Sequence, residues 1–142
     1  MCYKDIEPYL KIIEKELDEK FDITVEYIED VENSFFFYEE HIIEIGLKQK
    51  PEHMLYALLH EAGHVVLLST ELFTQRKPGM KRYTKKYKVN VLREEIFAWE
   101  RGLEIAYELE IPIDRREWEK VRVRSLYEYI IWAISPQKYE SV

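Results

Sequence analysis

His60 and His64 stand four residues apart, with Glu61 directly after the first and the small pair Ala62-Gly63 between. On a helix, that spacing stacks two imidazoles one turn apart on a single face, so both can reach one ion. Zinc favours nitrogen ligands of this kind, and a catalytic zinc site keeps three protein ligands and leaves a position for water. Glu61 projects about 100° around the helix from His60. From there its carboxylate can act as a general base toward an activated water without itself ligating the ion. The pattern HExxH therefore points to hydrolysis, with His60 and His64 as ligands and Glu61 as the catalytic base. Ala62 and Gly63 leave room for a second helix or a substrate to come close.

A third ligand is required. The extended pattern HExxHxxGxxH fails, because position 67 is Leu and no histidine follows His64. A cysteine ligand is disfavoured because Cys2, the one cysteine, lies far upstream. A carboxylate on a downstream helix remains, and residues 94–100 (EEIFAWE) offer Glu94, Glu95 and Glu100. Glu95 shares a stripe with Val91, Ala98, Gly102 and Ala106, whose small side chains permit close helix packing and point the acid inward. Glu94 shares its side with Arg101 and Glu108, and Glu100 is flanked by Glu104, so both read as solvated. Glu95 is the expected third ligand.

The elements that must position these groups can be read from periodicity. Ile6, Leu10, Ile13 and Leu17 recur at helical spacing over residues 3–20. Residues 23–28 alternate in the manner of a strand, and 35–38 and 41–46 read as two more strands joined by a turn at Glu39-Glu40. Pro51 sits at a first helical position with Glu52 behind it, opening a helix to about Ser69. Asn90 is the expected N-cap of a helix over 91–109. Asp114 with Glu117 resembles a capping box opening a last helix over 115–134, which ends before Pro136. The expected order is α-βββ-α-α-α, an α+β domain with a small, mostly antiparallel sheet.

The stretch HIIEIGLKQKPEHMLYALLHEAGHVVL, followed by EIFAW, resembles the ImmA/IrrE-type metallopeptidases and related phage-encoded and bacterial zincin domains. The likeness covers roughly residues 35–106. It implies a zincin-like fold, a peptidase activity, His60, His64 and Glu95 as zinc ligands, and Glu61 as the base. It also implies that the strand at 41–46 is an edge that binds a peptide substrate as an added strand. Many members carry Asn or Asp where this chain has Trp99. That departure leaves the outer partner of a ligating histidine unassigned and keeps Glu94 open as a ligand. Two other readings are a zinc-dependent hydrolase of a non-peptide amide and a weakly catalytic, metal-containing regulatory protein.

Composition bounds these readings. The 142 residues suit one domain, residues 1–142, and 46% hydrophobic with 35% charged residues suits a soluble core-bearing chain. No apolar run suggests a membrane span or secretory signal. A single cysteine fits a reducing cytoplasm. A net charge of −7 speaks against general nucleic-acid binding. Residues 75–88 run against that charge, with Arg76, Lys77, Lys81, Arg82, Lys85, Lys86 and Lys88 and no acid, and read as a connector between the two metal-bearing helices. Arg82, Tyr83 and Tyr87 are candidates to stabilise an oxyanion. His53, two turns before His60, lines the cleft or faces water, and His41 is a surface turn residue. Trp118, Tyr127, Tyr129 and Trp132 are read as core or dimer contacts.

Overall fold

The computed structural model describes residues 2–74 and 84–136. In chain order, the elements are α1 (Tyr3–Phe21), β1 (Thr24–Ile28), β2 (Phe35–Phe37), β3 (Ile42–Gly46), α2 (Pro51–Leu67), α3 (Lys85–Glu108) and α4 (Arg115–Ile134). The architecture is α+β, with four helices and a three-stranded sheet. No helix among the described residues is long and apolar enough to cross a membrane.

The apolar stripe of α1 is the buried one: Ile6, Leu10, Ile13 and Leu17 join Ile43 and Ile45 of β3 and Met54, Leu55, Leu58 and Leu59 of α2 in one core. Helices α1 and α2 thus cover one face of the sheet, α3 packs on α2, and α4 packs on α3. Phe35 and Phe37 remain exposed on β2, while Phe36, opposite Ile43, turns to the ring of Phe73.

The sheet is mixed, which corrects the expectation of a mostly antiparallel one. Its order is β1-β3-β2, with β1 and β3 parallel and β2 and β3 antiparallel. Adjacent strands in sequence need not be neighbours in space. Here the link over residues 29–34 carries the chain past the central position, and the turn at 38–41 returns β3 into the gap. Gly46 permits the crossing: a Cβ there would lie 2.3 Å from Val31 O and 2.7 Å from Asn33 O. The link is pinned where it crosses, by Leu47 N–H to Ile28 O and Lys48 N–H to Val31 O, each 2.9 Å. The most buried strand thereby becomes the central one, and 42–46 is no sheet edge. The free edge on that side belongs to β2.

Helix α3 starts earlier than Asn90, at Lys85, with Thr84 as N-cap accepting from the Tyr87 N–H at 3.1 Å. The lysine-rich start hides the helix from an apolar periodicity search. Lys88 is nevertheless buried, because its ammonium donates to the carbonyls of Trp132, Ala133 and Ser135 at 3.2–3.4 Å. It closes the C-terminus of α4, where a cation complements the helix dipole. At the other end of α4, Asp114 caps as expected, accepting from the N–H groups of Arg116 and Glu117. The Glu117 carboxylate does not complete a capping box; it pairs with His53 Nε2 of α2 at 3.2 Å.

Candidate metal centre

Two glycines bring the metal-ligand candidates together. A Cβ on Gly63 would stand 2.0 Å from Ala98 O, and one on Gly102 would stand 2.6 Å from Leu59 O. Helices α2 and α3 therefore touch backbone to backbone, with Ala98 and Ala106 fully buried between them. Contact this close lets a side chain as short as Glu95 span the interface. Its Oε1 lies 3.0 Å from His60 Nε2 and its Oε2 lies 2.9 Å from His64 Nε2.

One ligand atom from each of His60, His64 and Glu95 can be chosen so that all lie within 4.8 Å of one another. Donor atoms about 2.0–2.1 Å from a tetrahedral zinc stand roughly 3.3 Å apart, and the two histidine–carboxylate distances, 3.0 and 2.9 Å, lie within a few tenths of an ångström of that spacing. The donor types, two imidazole nitrogens and one carboxylate oxygen, also suit zinc.

Glu94 is buried, at 4% exposure, and this corrects the solvated reading drawn from its helix side. Its Oε2 accepts from His64 Nδ1 at 2.6 Å, and its Oε1 accepts from the Thr74 backbone N–H at 2.6 Å. The segment ending at Thr74 lies over that side of α3, with Thr74 Oγ1 donating to Asn90 O at 3.0 Å. A carboxylate on Nδ1 fixes the tautomer and leaves Nε2 as the outward donor, the usual companion of a ligating histidine. Glu94 is thus not among the grouped ligand atoms but stands behind one of them.

Burial holds the Glu61 carboxyl above the ordinary carboxylate range, against the pull of the His60 and His64 charges. Burial alone would raise Glu95 as well, but there His64 and His60 win and hold it below that range. Burial disfavours a charged His64, yet Glu95 and Glu94 outweigh it and raise its pKa well above the usual imidazole value. Two neighbouring acids of one site are therefore pushed apart. Glu95 is held as an anion, and Glu61 is held as an acid that takes a proton more readily than an ordinary carboxylate.

These groups line a cleft of about 420 Å³ between the sheet and α4. On the sheet side stand Phe35 and Phe36 of β2 with Phe73; on the α4 side stand Val121, Arg124, Ser125, Glu128 and Tyr129. His53 lines the cleft, one of the two positions open to it in the sequence, and His41 is exposed. Trp118 is buried in the core as expected, whereas Tyr127 is 61% exposed. Tyr129, expected as a core or dimer contact, lines the cleft, and burial followed by the charges of Glu95, Glu61 and Glu94 raises its pKa. A single residue type on an amphipathic helix carries no signal of this role. Of the oxyanion candidates, Tyr87 packs edge-on against Trp132 and is absent from the cleft lining. Arg82 and Tyr83, with the rest of residues 75–83, lie outside the described residues.

No family model, no curated protein and no solved structure matches this chain.

Proposed function

We propose that this chain is a zinc-dependent metallopeptidase of zincin-like fold, working on peptide or protein substrates in the cytoplasm. The observation that carries the reading is the convergence of His60 Nε2, His64 Nε2 and the Glu95 carboxylate, with buried Glu61 beside them. The likeness of HEAGH and EIFAW to the ImmA/IrrE-type enzymes supports it. Zinc held by His60, His64 and Glu95 supplies Lewis acidity, which polarises a carbonyl and acidifies water. Glu61 takes the proton of the attacking water on its carboxylate and passes it to the departing amine. Tyr129, from the α4 wall, donates its O–H to the carbonyl oxygen as negative charge builds there. Glu94 holds His64 in the ligating tautomer.

A peptide, rather than a small amide, is favoured by the cleft wall. Phe35 and Phe36 of the edge strand β2 line it, so an extended chain can pair with the strand backbone while its side chains meet the aromatic wall. The test is incubation of the zinc-loaded protein with a proteome-derived peptide library, followed by sequencing of new N-termini, with Glu61→Gln as control. Cleavage by the wild type alone is expected. A zinc-loaded wild type that cuts nothing beyond the control would overturn the peptidase reading.

A further inference from the structure

The His60 imidazole lies flat on the Trp99 indole, with ring centroids 4.3 Å apart and planes inclined by 11°. Trp99 is 3% exposed and meets Trp118 edge-on at 5.1 Å, and Trp118 meets Tyr56 in the same way at 5.2 Å. The stack is thus the end of an aromatic column rooted in the core. The indole N–H is buried and has no acceptor among the described residues. Packing places this ring, and no hydrogen bond does.

We infer that Trp99 is a positioning residue for metal binding, holding the His60 ring by stacking as Glu94 holds His64 by a hydrogen bond. The inference rests on the proposed zinc centre. A ligating histidine is ordinarily oriented through its second ring nitrogen. For His60 that nitrogen, Nδ1, stands 4.0 Å from Glu61 Oε2, too far for a hydrogen bond. A flat indole beneath the ring restricts its rotation instead, and keeps Nε2 on the Glu95 side. An imidazole that shares a metal's positive charge is drawn to an indole face more strongly than a neutral one. The stack therefore strengthens on binding, and its loss should appear in metal affinity.

The test is zinc titration against a competing chelator for the wild type, Trp99→Phe, Trp99→Met and Trp118→Phe, with the cobalt(II) absorption spectrum of each. Trp99→Phe keeps a flat ring and should retain both the affinity and the spectrum. Trp99→Met fills the space without a ring face, and should lose roughly 10-fold in zinc affinity and shift the cobalt bands. Trp118→Phe thins the same column without touching His60, and should bind zinc as the wild type does. A Met variant with wild-type affinity, or a Trp118 variant weakened as much as the Met variant, overturns the inference. Should the Met variant fail to fold, proton NMR of the zinc-loaded wild type decides. The His60 ring protons should be moved upfield by the indole, and their absence from that region overturns the stack. A wild type that binds no zinc sinks the metal centre itself; zinc-binding wild type with an indifferent Met variant sinks only the role of Trp99.

Discussion

Glu94 and His64 meet across the α2–α3 interface with Oε2 and Nδ1 2.6 Å apart, while the next residue, Glu95, meets the same imidazole at Nε2 at 2.9 Å. Two consecutive acids on one helix thus address the two ends of one ring, and their substitutions should differ. Glu95→Ala removes a proposed ligand and should abolish zinc binding at stoichiometric concentration. Glu94→Gln keeps the ligand set and should weaken zinc by roughly 10–100-fold. Metal content and chelator competition distinguish the two, and equal losses would refute the division of roles.

Glu61→Gln should leave zinc content at the wild-type level and lower turnover of any cleaved peptide by at least about 100-fold. Tyr129→Phe should lower kcat with little change in KM, because the hydrogen bond proposed for it forms as charge develops. An unaltered kcat in the Phe variant would remove Tyr129 from the mechanism.

Gly63→Ala drives a methyl group into Ala98 O, which a Cβ would meet at 2.0 Å. The backbones must part, at a cost of about 2–3 kcal/mol, seen as a melting temperature lower by roughly 5–10 °C. Because the same contact lets Glu95 reach both histidines, zinc affinity should fall in the same variant. Loss of stability without loss of affinity would separate packing from the site.

Tyr27 donates its hydroxyl to Glu14 Oε2 at 2.9 Å, and burial followed by the Glu14 charge raises its pKa from an ordinary 10.0. A raised folded-state value means the contribution is complete below the unfolded pKa and is lost as pH rises above it. Alkaline unfolding should therefore set in above about pH 10. Tyr27→Phe should be less stable at pH 7 by about 1 kcal/mol and lose less on going to pH 11. Urea midpoints at the two pH values check both signs.

The parts legible in the sequence are those governed by a helical period. The buried face of α1, the start of α2 at Pro51 and the inward stripe of Glu95, Ala98, Gly102 and Ala106 all follow from which residues share a side. The burial of Glu94 is not legible in the sequence, because a helix wheel knows only one partner. Residues next to an inward position look solvated until a second segment, here the one ending at Thr74, covers that side too. The parallel pairing of β1 with β3 depends on where the 29–34 link passes, a tertiary fact resting on Gly46 and invisible to strand alternation. The α4 wall of the cleft was hidden for a related reason. Tyr129 has the same residue type as exposed Tyr127, and only the packing of α4 on α3 tells them apart.

Helix α4 is fastened at both ends to the helices that carry the site: His53 of α2 holds Glu117 near its start, and Lys88 of α3 holds its last carbonyls. A beam pinned at both ends cannot swing like a door. The wall bearing Arg124, Glu128 and Tyr129 lies between the pins, so room for a bulkier guest has to come from bowing at mid-span or from the strand opposite. Releasing one pin, as Lys88→Met would, turns that fixed beam into a hinged one.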